Sequence, residues 1–261
     1  MTHPHSRVLA IDWSGDKKRA HRKIWLAEAK DGQLIRILSG KSREEVSHFL
    51  IKEAERGDRF TVGLDFAFSF PSWFCHSLKA KAAYEVWAQA EIGGEQWLGD
   101  CKAPFWGRPG RKRNIAIEEL RQTEKDATSN GGGIKPKSTF QIGGAGAVGT
   151  GSVRGMPVLR QLHDAGFSIW PFDPPGWPVV VEIYPRLLTG SVNKSSREDR
   201  GAYLIKRFPE LSREHYEAAA SSEDAFDAAV SALVMASRAD EFVGLSQATD
   251  PCELIEGRIW Y

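Results

Sequence analysis

A chain of 261 residues, 41% of them hydrophobic, has the material for a sizeable core, and no Pro/Ser-rich or charged linker divides it. Thirty-five basic against 34 acidic residues leave a net charge of +1, so there is no global attraction to nucleic acid, only local basic runs such as KKRAHRK (17–23), GRPGRKR (107–113) and KPK (135–137). The N-terminus lacks an apolar signal region, no run approaches a membrane span, and three dispersed cysteines show no metal-ligand spacing, so a cytoplasmic protein without a membrane partner is expected.

RVLAIDW (7–13) is short, apolar and rich in strand formers, and ends at a Ser14-Gly15 turn signal. KIWLAEA (23–29) and QLIRILS (33–39) flank Asp31-Gly32, a strong hairpin signal, so the first three strands are expected to form an antiparallel meander. SREEVSHFLIKEAERG (42–57) has a serine start, early glutamates, apolar residues at Val46, Phe49 and Leu50, and a closing glycine, all signs of a helix. RFTVGLDFAF (59–68) reads as a buried strand reached by a parallel crossover. Residues 72–90 read as helical and 91–156 as an irregular insertion. A short helix over 157–166, a strand at PVVVEIYPR (178–186), a helix near 197–207 and a last helix over 221–236 complete the pattern. One domain spanning residues 1–261 follows, with a mixed α/β sheet.

Several carboxylates interrupt these apolar elements. Asp12 ends the first strand and Asp65 lies late in the fourth; if those strands are parallel neighbours, both emerge at the carboxyl end of the sheet, where ligands collect in open α/β folds. Each also has a local reading, Asp12 bonding its own turn and Asp65 capping the backbone after the strand. On the last helix, Ser221 and Asp224 match a helix start with an acidic first turn, whereas Asp227 falls a turn further in, among alanines. Clustered carboxylates without matching buried cations call for a hard metal ion, Mg²⁺ or Mn²⁺. Two such ions suit phosphodiester hydrolysis. Nine tryptophans, some near GRPGRKR, suit either core packing or stacking on unpaired bases.

The order of elements, with an aspartate in IDWSG, another in GLDFAF and EDAFDAAVSAL on the last helix, resembles the ribonuclease-H-like superfamily, its Holliday-junction-resolvase branch in particular. More closely, AIDWSG, GLDFAFSFP, VEIYPR, EDAFDAAVSALVMA and IEGRIW resemble the family of domain of unknown function 429, which are predicted ribonuclease-H-like nucleases. The likeness covers nearly the whole chain except the insertion. It implies a ribonuclease-H-like mixed sheet of five strands flanked by helices, with the insertion after strand four.

The resemblance further implies Asp12 as the central metal ligand, Asp65 as the acidic residue of strand four, Asp224 and Asp227 as helix ligands, and one or two Mg²⁺ or Mn²⁺ ions. Glu182 matches the E-x-x-P strand end and is expected as a further ligand or a group behind the ligands. Lys194 and Arg200 match basic residues that face phosphate, though two solvated charges fit them equally, and Ser14 is a substrate contact or a turn residue. A nucleic acid, DNA or RNA, is the expected partner, and junction-cutting relatives suggest a homodimer. Many superfamily members carry glutamate at the position of Asp65; the shorter arm shifts the metal. The rival expectation is a catalytically silent module of the same fold that binds a nucleotide, a nucleic acid or a protein.

Overall fold

The computed structural model describes residues 7–130 and 133–261. Seven strands form one mixed sheet: β1 (Arg7–Asp12), β2 (Trp25–Lys30), β3 (Gln33–Ser39), β4 (Phe60–Leu64), β5 (Ser168–Ile169), β6 (Val179–Ile183) and β7 (Ile259–Trp260). The order is β3-β2-β1-β4-β6-β5, with β7 also on β6; β1 to β3 are antiparallel, and β4, β6, β5 and β7 pair in parallel. The β2–β3 hairpin closes through Asp31 and Gly32, both at positive φ as its tight turn requires. β5 and β7 share the outer edge of β6, one along its first half and one along its second. Among the described residues the sheet therefore has seven strands rather than the expected five. Two-residue strands are too short to show alternation in a sequence.

The crossover from β3 to β4 runs through α1 (Arg43–Ala54). Its start is a capping box: the Ser42 hydroxyl accepts from Glu45 N–H, and the Glu45 carboxylate accepts from Ser42 N–H. Strand alternation then divides the core between the two faces. Val8, Ala10, Val181 and Ile183 pack with Phe226, Val230 and Met235 of α9 (Glu223–Ser237), numbering helices in chain order. Leu9, Ile11, Val62, Leu64 and Val180 face the other way, toward α1 and the segments that follow β4. Gly63 allows α9 close to the sheet, because a Cβ there would lie 2.6 Å from Met235 Sδ.

After β4 come α2 (Ser72–Ser77), α3 (Ala83–Asp100), α4 (Gln122–Asn130) and α5 (Val148–Asp164). The stretch 91–156 is thus far less irregular than its composition suggests. Glycine lowers helix propensity, but here it permits close packing of helices: a Cβ on Gly94 of α3 would lie 2.7 Å from Val153 Cγ1 of α5. Pro157, which reads as a helix start, sits inside α5. After β6 in the chain come α6 (Pro185–Thr189), α7 (Arg197–Arg207) and α8 (Arg213–Ala219), and after α9 come α10 (Asp240–Val243) and α11 (Glu253–Glu256). Among the described residues no helix is long and apolar enough to cross a membrane.

Candidate active site

Asp12 keeps the parity of Val8 and Ala10, so its side chain belongs to the face covered by α9. Asp65 lies one residue beyond β4 on the parity of Gly63, the residue beneath Met235, and so meets the same face. β1 and β4 are parallel neighbours with Ile11 opposite Leu64, and Asp65 N–H donates to Ile11 C=O at 3.0 Å. The two aspartates therefore emerge side by side. Above them, α9 presents Asp227 one turn in and Asp224 in its first turn. The N-cap of α9 is Ser222, whose hydroxyl accepts from Ala225 N–H at 3.0 Å, not Ser221 as the sequence suggested.

These carboxyls are held in an unfavourable state for anions. Burial pushes the Asp12 carboxyl well above the usual range, and the charges of Asp65, Asp227 and Asp224 add to it, with Lys194 opposing. Asp65 is pushed up to about 8 by burial and then by Asp227. Burial also raises Asp227 and Asp224. The Lys194 ammonium donates to Asp227 Oδ2. The other oxygen, Oδ1, is buried with no hydrogen-bond partner among the described residues, as is Ser231 Oγ one turn further along α9. Among the described residues no three histidine, cysteine or carboxylate side chains stand close enough to hold an ion as they are. The donor chemistry nevertheless suits a hard cation: oxygen ligands, an orphaned carboxylate oxygen, and one ammonium against several acids.

A cleft of about 260 Å³ opens over two of these aspartates; it is lined by Asp65, Asp227, Lys194, Tyr184, Arg186 and the start of α5 at Gly146, Ala147 and Val148, with Asp12 and Asp224 outside its lining. Burial pushes the Tyr184 phenol up to about 12, with Asp65 next in effect, so it is a hydrogen-bond donor at neutral pH. Compared with family models, curated proteins and solved structures, the chain finds no match.

Glu182 sits elsewhere. On β6 it has the parity of Val180, opposite that of Val181 and Ile183, so it faces away from α9. There the guanidinium of Arg121 grips both its oxygens, and Phe68 N–H donates to Oε2 at 2.8 Å. Arg121 is fully buried and also donates to Glu124 and, at 2.9 Å, to the carbonyl of Glu256. Glu182 thus anchors the insertion; among the described residues it shares no hydrogen bond with the aspartates, although its charge helps to raise the Asp65 carboxyl. Nothing in the sequence marks Arg121, which lies in an insertion remote from every motif.

Arg200 is buried and donates to the carbonyls of Lys194 and Ala220, so it props the loop that carries Lys194 and does not face the cleft. Ser14 is a turn residue: its hydroxyl accepts from Asp16 N–H at 3.2 Å and its carbonyl accepts from Arg43. The tryptophans mostly pack. Trp87 is buried with its indole N–H on Phe68 C=O, Trp97 stacks on Phe105, and the Trp106 indole N–H donates to Glu119.

Proposed function

We propose that the chain is a metal-dependent phosphodiesterase acting on DNA or RNA, with Asp12, Asp65 and Asp227, assisted by Asp224, holding one or two Mg²⁺ or Mn²⁺ ions. The observation that carries this is the gathering of these aspartates on one face, two from neighbouring strand ends and two from α9, with an orphaned oxygen on Asp227. The order and senses of the long strands support a ribonuclease-H-like fold, and the sequence motifs support membership of the domain-of-unknown-function-429 family. A bound divalent ion would neutralise phosphoryl oxygens and activate water. Asp12, buried between its neighbours, would be the central ligand. Tyr184 and Arg186 would orient the phosphate from the cleft wall, and Lys194 would exchange Asp227 for a phosphate oxygen.

The ion pair between Lys194 and Asp227 favours one second reading, a module that binds a nucleotide or partner without cutting it. Calorimetric titration of Mn²⁺ into the wild type and into Asp12→Asn separates the two. The nuclease reading expects binding that the substitution removes, together with loss of Mn²⁺-dependent hydrolysis and a thermal midpoint in chelator that is unchanged or higher, because repulsion is relieved. A fully active Asp12→Asn sinks it.

A further inference from the structure

The insertion carries cations that the carboxylate site does not use. Trp106 and Gln141 form an isolated parallel bridge, with Trp106 N–H on Phe140 C=O at 3.0 Å and Ile142 N–H on Trp106 C=O at 2.9 Å. Just beyond it two backbones touch: a Cβ on Gly107 would lie 2.5 Å from the Gly143 carbonyl oxygen. From there the chain makes a closed turn. Arg111 N–H donates to Arg108 C=O and Gly107 N–H to Arg111 C=O, both at 2.9 Å. Pro109 and Gly110, the latter at φ 74°, fill the two central positions as a type II turn requires. Arg108 and Arg111 therefore stand at the ends of a fixed turn, exposed, with exposed Lys112 following. Among the described residues none of the three has an acidic partner, whereas Arg113 is paired with Glu119.

This turn is tied to the cleft. Three residues after Gly143, Gly146 begins the wall formed by Gly146, Ala147 and Val148, which faces Asp65 and Asp227. Exposed Lys137 lies against it, since a Cβ on Gly146 would be 3.5 Å from Lys137 Cε. Ala147 caps α5 without a side-chain acceptor for the helix's first N–H groups. A cleft of carboxylates repels a polyanion, and a net charge of +1 supplies no general attraction. Affinity for a long strand must come from unpaired cations placed beside the cleft.

We infer that Arg108, Arg111, Lys112 and Lys137 form a phosphate track leading out of the cleft, and that the substrate is a nucleic-acid strand of several nucleotides, not a mononucleotide. The inference rests on the phosphodiesterase reading for its substrate but is tested separately from it. The probe is a fluorescein-labelled single-stranded DNA of about twenty nucleotides, longer than one binding site. Its binding to the full chain is followed by anisotropy in chelator at several salt concentrations.

Replacing Arg108, Arg111 and Lys112 by alanine should weaken binding at least about tenfold and reduce the salt slope of the affinity by about 2, with the thermal midpoint unchanged. Arg108→Lys with Arg111→Lys should keep the slope. No binding by the wild type, an unchanged slope in the triple variant, or displacement of the probe by AMP as readily as by unlabelled DNA overturns the track. Hydrolysis of bis(p-nitrophenyl) phosphate by the wild type with Mn²⁺ tests the phosphodiesterase reading on a compound too small to reach the track. Its absence alongside the expected loss of slope would sink that reading and leave the track standing.

Discussion

The ammonium of Lys194 rests on one oxygen of Asp227 while the other oxygen of the same carboxylate is buried with no partner among the described residues. One cation thus half-neutralises a group that shares its surroundings with Asp12, Asp65 and Asp224. If a divalent ion belongs there, Lys194 competes with it. Lys194→Met should tighten Mn²⁺ binding by about tenfold, because one unit of opposing charge is removed from a partly buried site. It should also lower the thermal midpoint in chelator, since Asp227 loses its counter-ion. Calorimetry and thermal melting of the same preparation check both, and weaker Mn²⁺ binding would count against a metal at this position.

The raised Asp65 carboxyl makes stability depend on pH. An unfolded aspartate titrates near about 3.9, whereas burial and Asp227 push this one up to about 8. Between those values the folded chain keeps a proton that the unfolded chain has lost. Stability from this group therefore falls as pH rises through that window and levels off above it. Wild type melted in chelator should lose ground to Asp65→Asn as pH climbs from about 5 to about 8. A constant difference between the two would show that Asp65 is ionised when folded.

Arg121 and Glu182 offer a control on the far face of the sheet. Arg121→Ala leaves two buried carboxylates unpaired and should cost about 3–5 kcal/mol, seen as a fall of roughly 10 °C in thermal midpoint. Glu182→Gln should also destabilise but change Mn²⁺ affinity far less than Asp12→Asn does, since Glu182 reaches the site only through its charge on Asp65. A loss of Mn²⁺ binding in Glu182→Gln would instead return Glu182 to the ligands.

Gly63→Ala probes how closely α9 must lie on the sheet. The added methyl would meet Met235 Sδ at 2.6 Å and Ile183 Cγ2 at 3.0 Å. Overpacking of this kind costs about 1–3 kcal/mol. Lifting α9 would also separate Asp227 from Asp65, so denaturant melts should show the loss of stability and calorimetry a weaker Mn²⁺ response.

Much of the fold is legible in the sequence itself. The capped α1, the Asp31-Gly32 hairpin and the apolar runs of β1, β4 and β6 each carry their own local signal. Asp12, Asp65 and Asp227 stood out because each interrupts an apolar pattern. What a linear reading missed depends on partners distant in sequence. Glu182 interrupts its strand just as Asp12 does, and only the pairing of β6 with β4 shows that it points to the other face. Arg121 is one arginine among many until it is seen buried against Glu182, and Tyr184 acquires meaning only from the cleft it lines. The helices α3 and α5 are hidden in the sequence by glycines that serve close packing, Gly94 against Val153 of α5 and Gly155 against Phe66.

The insertion has a consequence for anyone trimming this protein to a minimal core. From α5, Ser152 Oγ accepts from Ala67 N–H at 3.1 Å, Arg154 holds the carbonyl of Gly15, and Gly155 leaves room for Phe66, whose ring would lie 2.5 Å from a Cβ there. The segments just after Asp12 and Asp65 thus take their shape from a part of the chain that looks dispensable. Excising residues 91–156 would leave Asp12, Asp65, Asp224 and Asp227 in the chain and free both of these loops, so a truncated chain should keep its acidic motifs and lose the arrangement that gives them meaning.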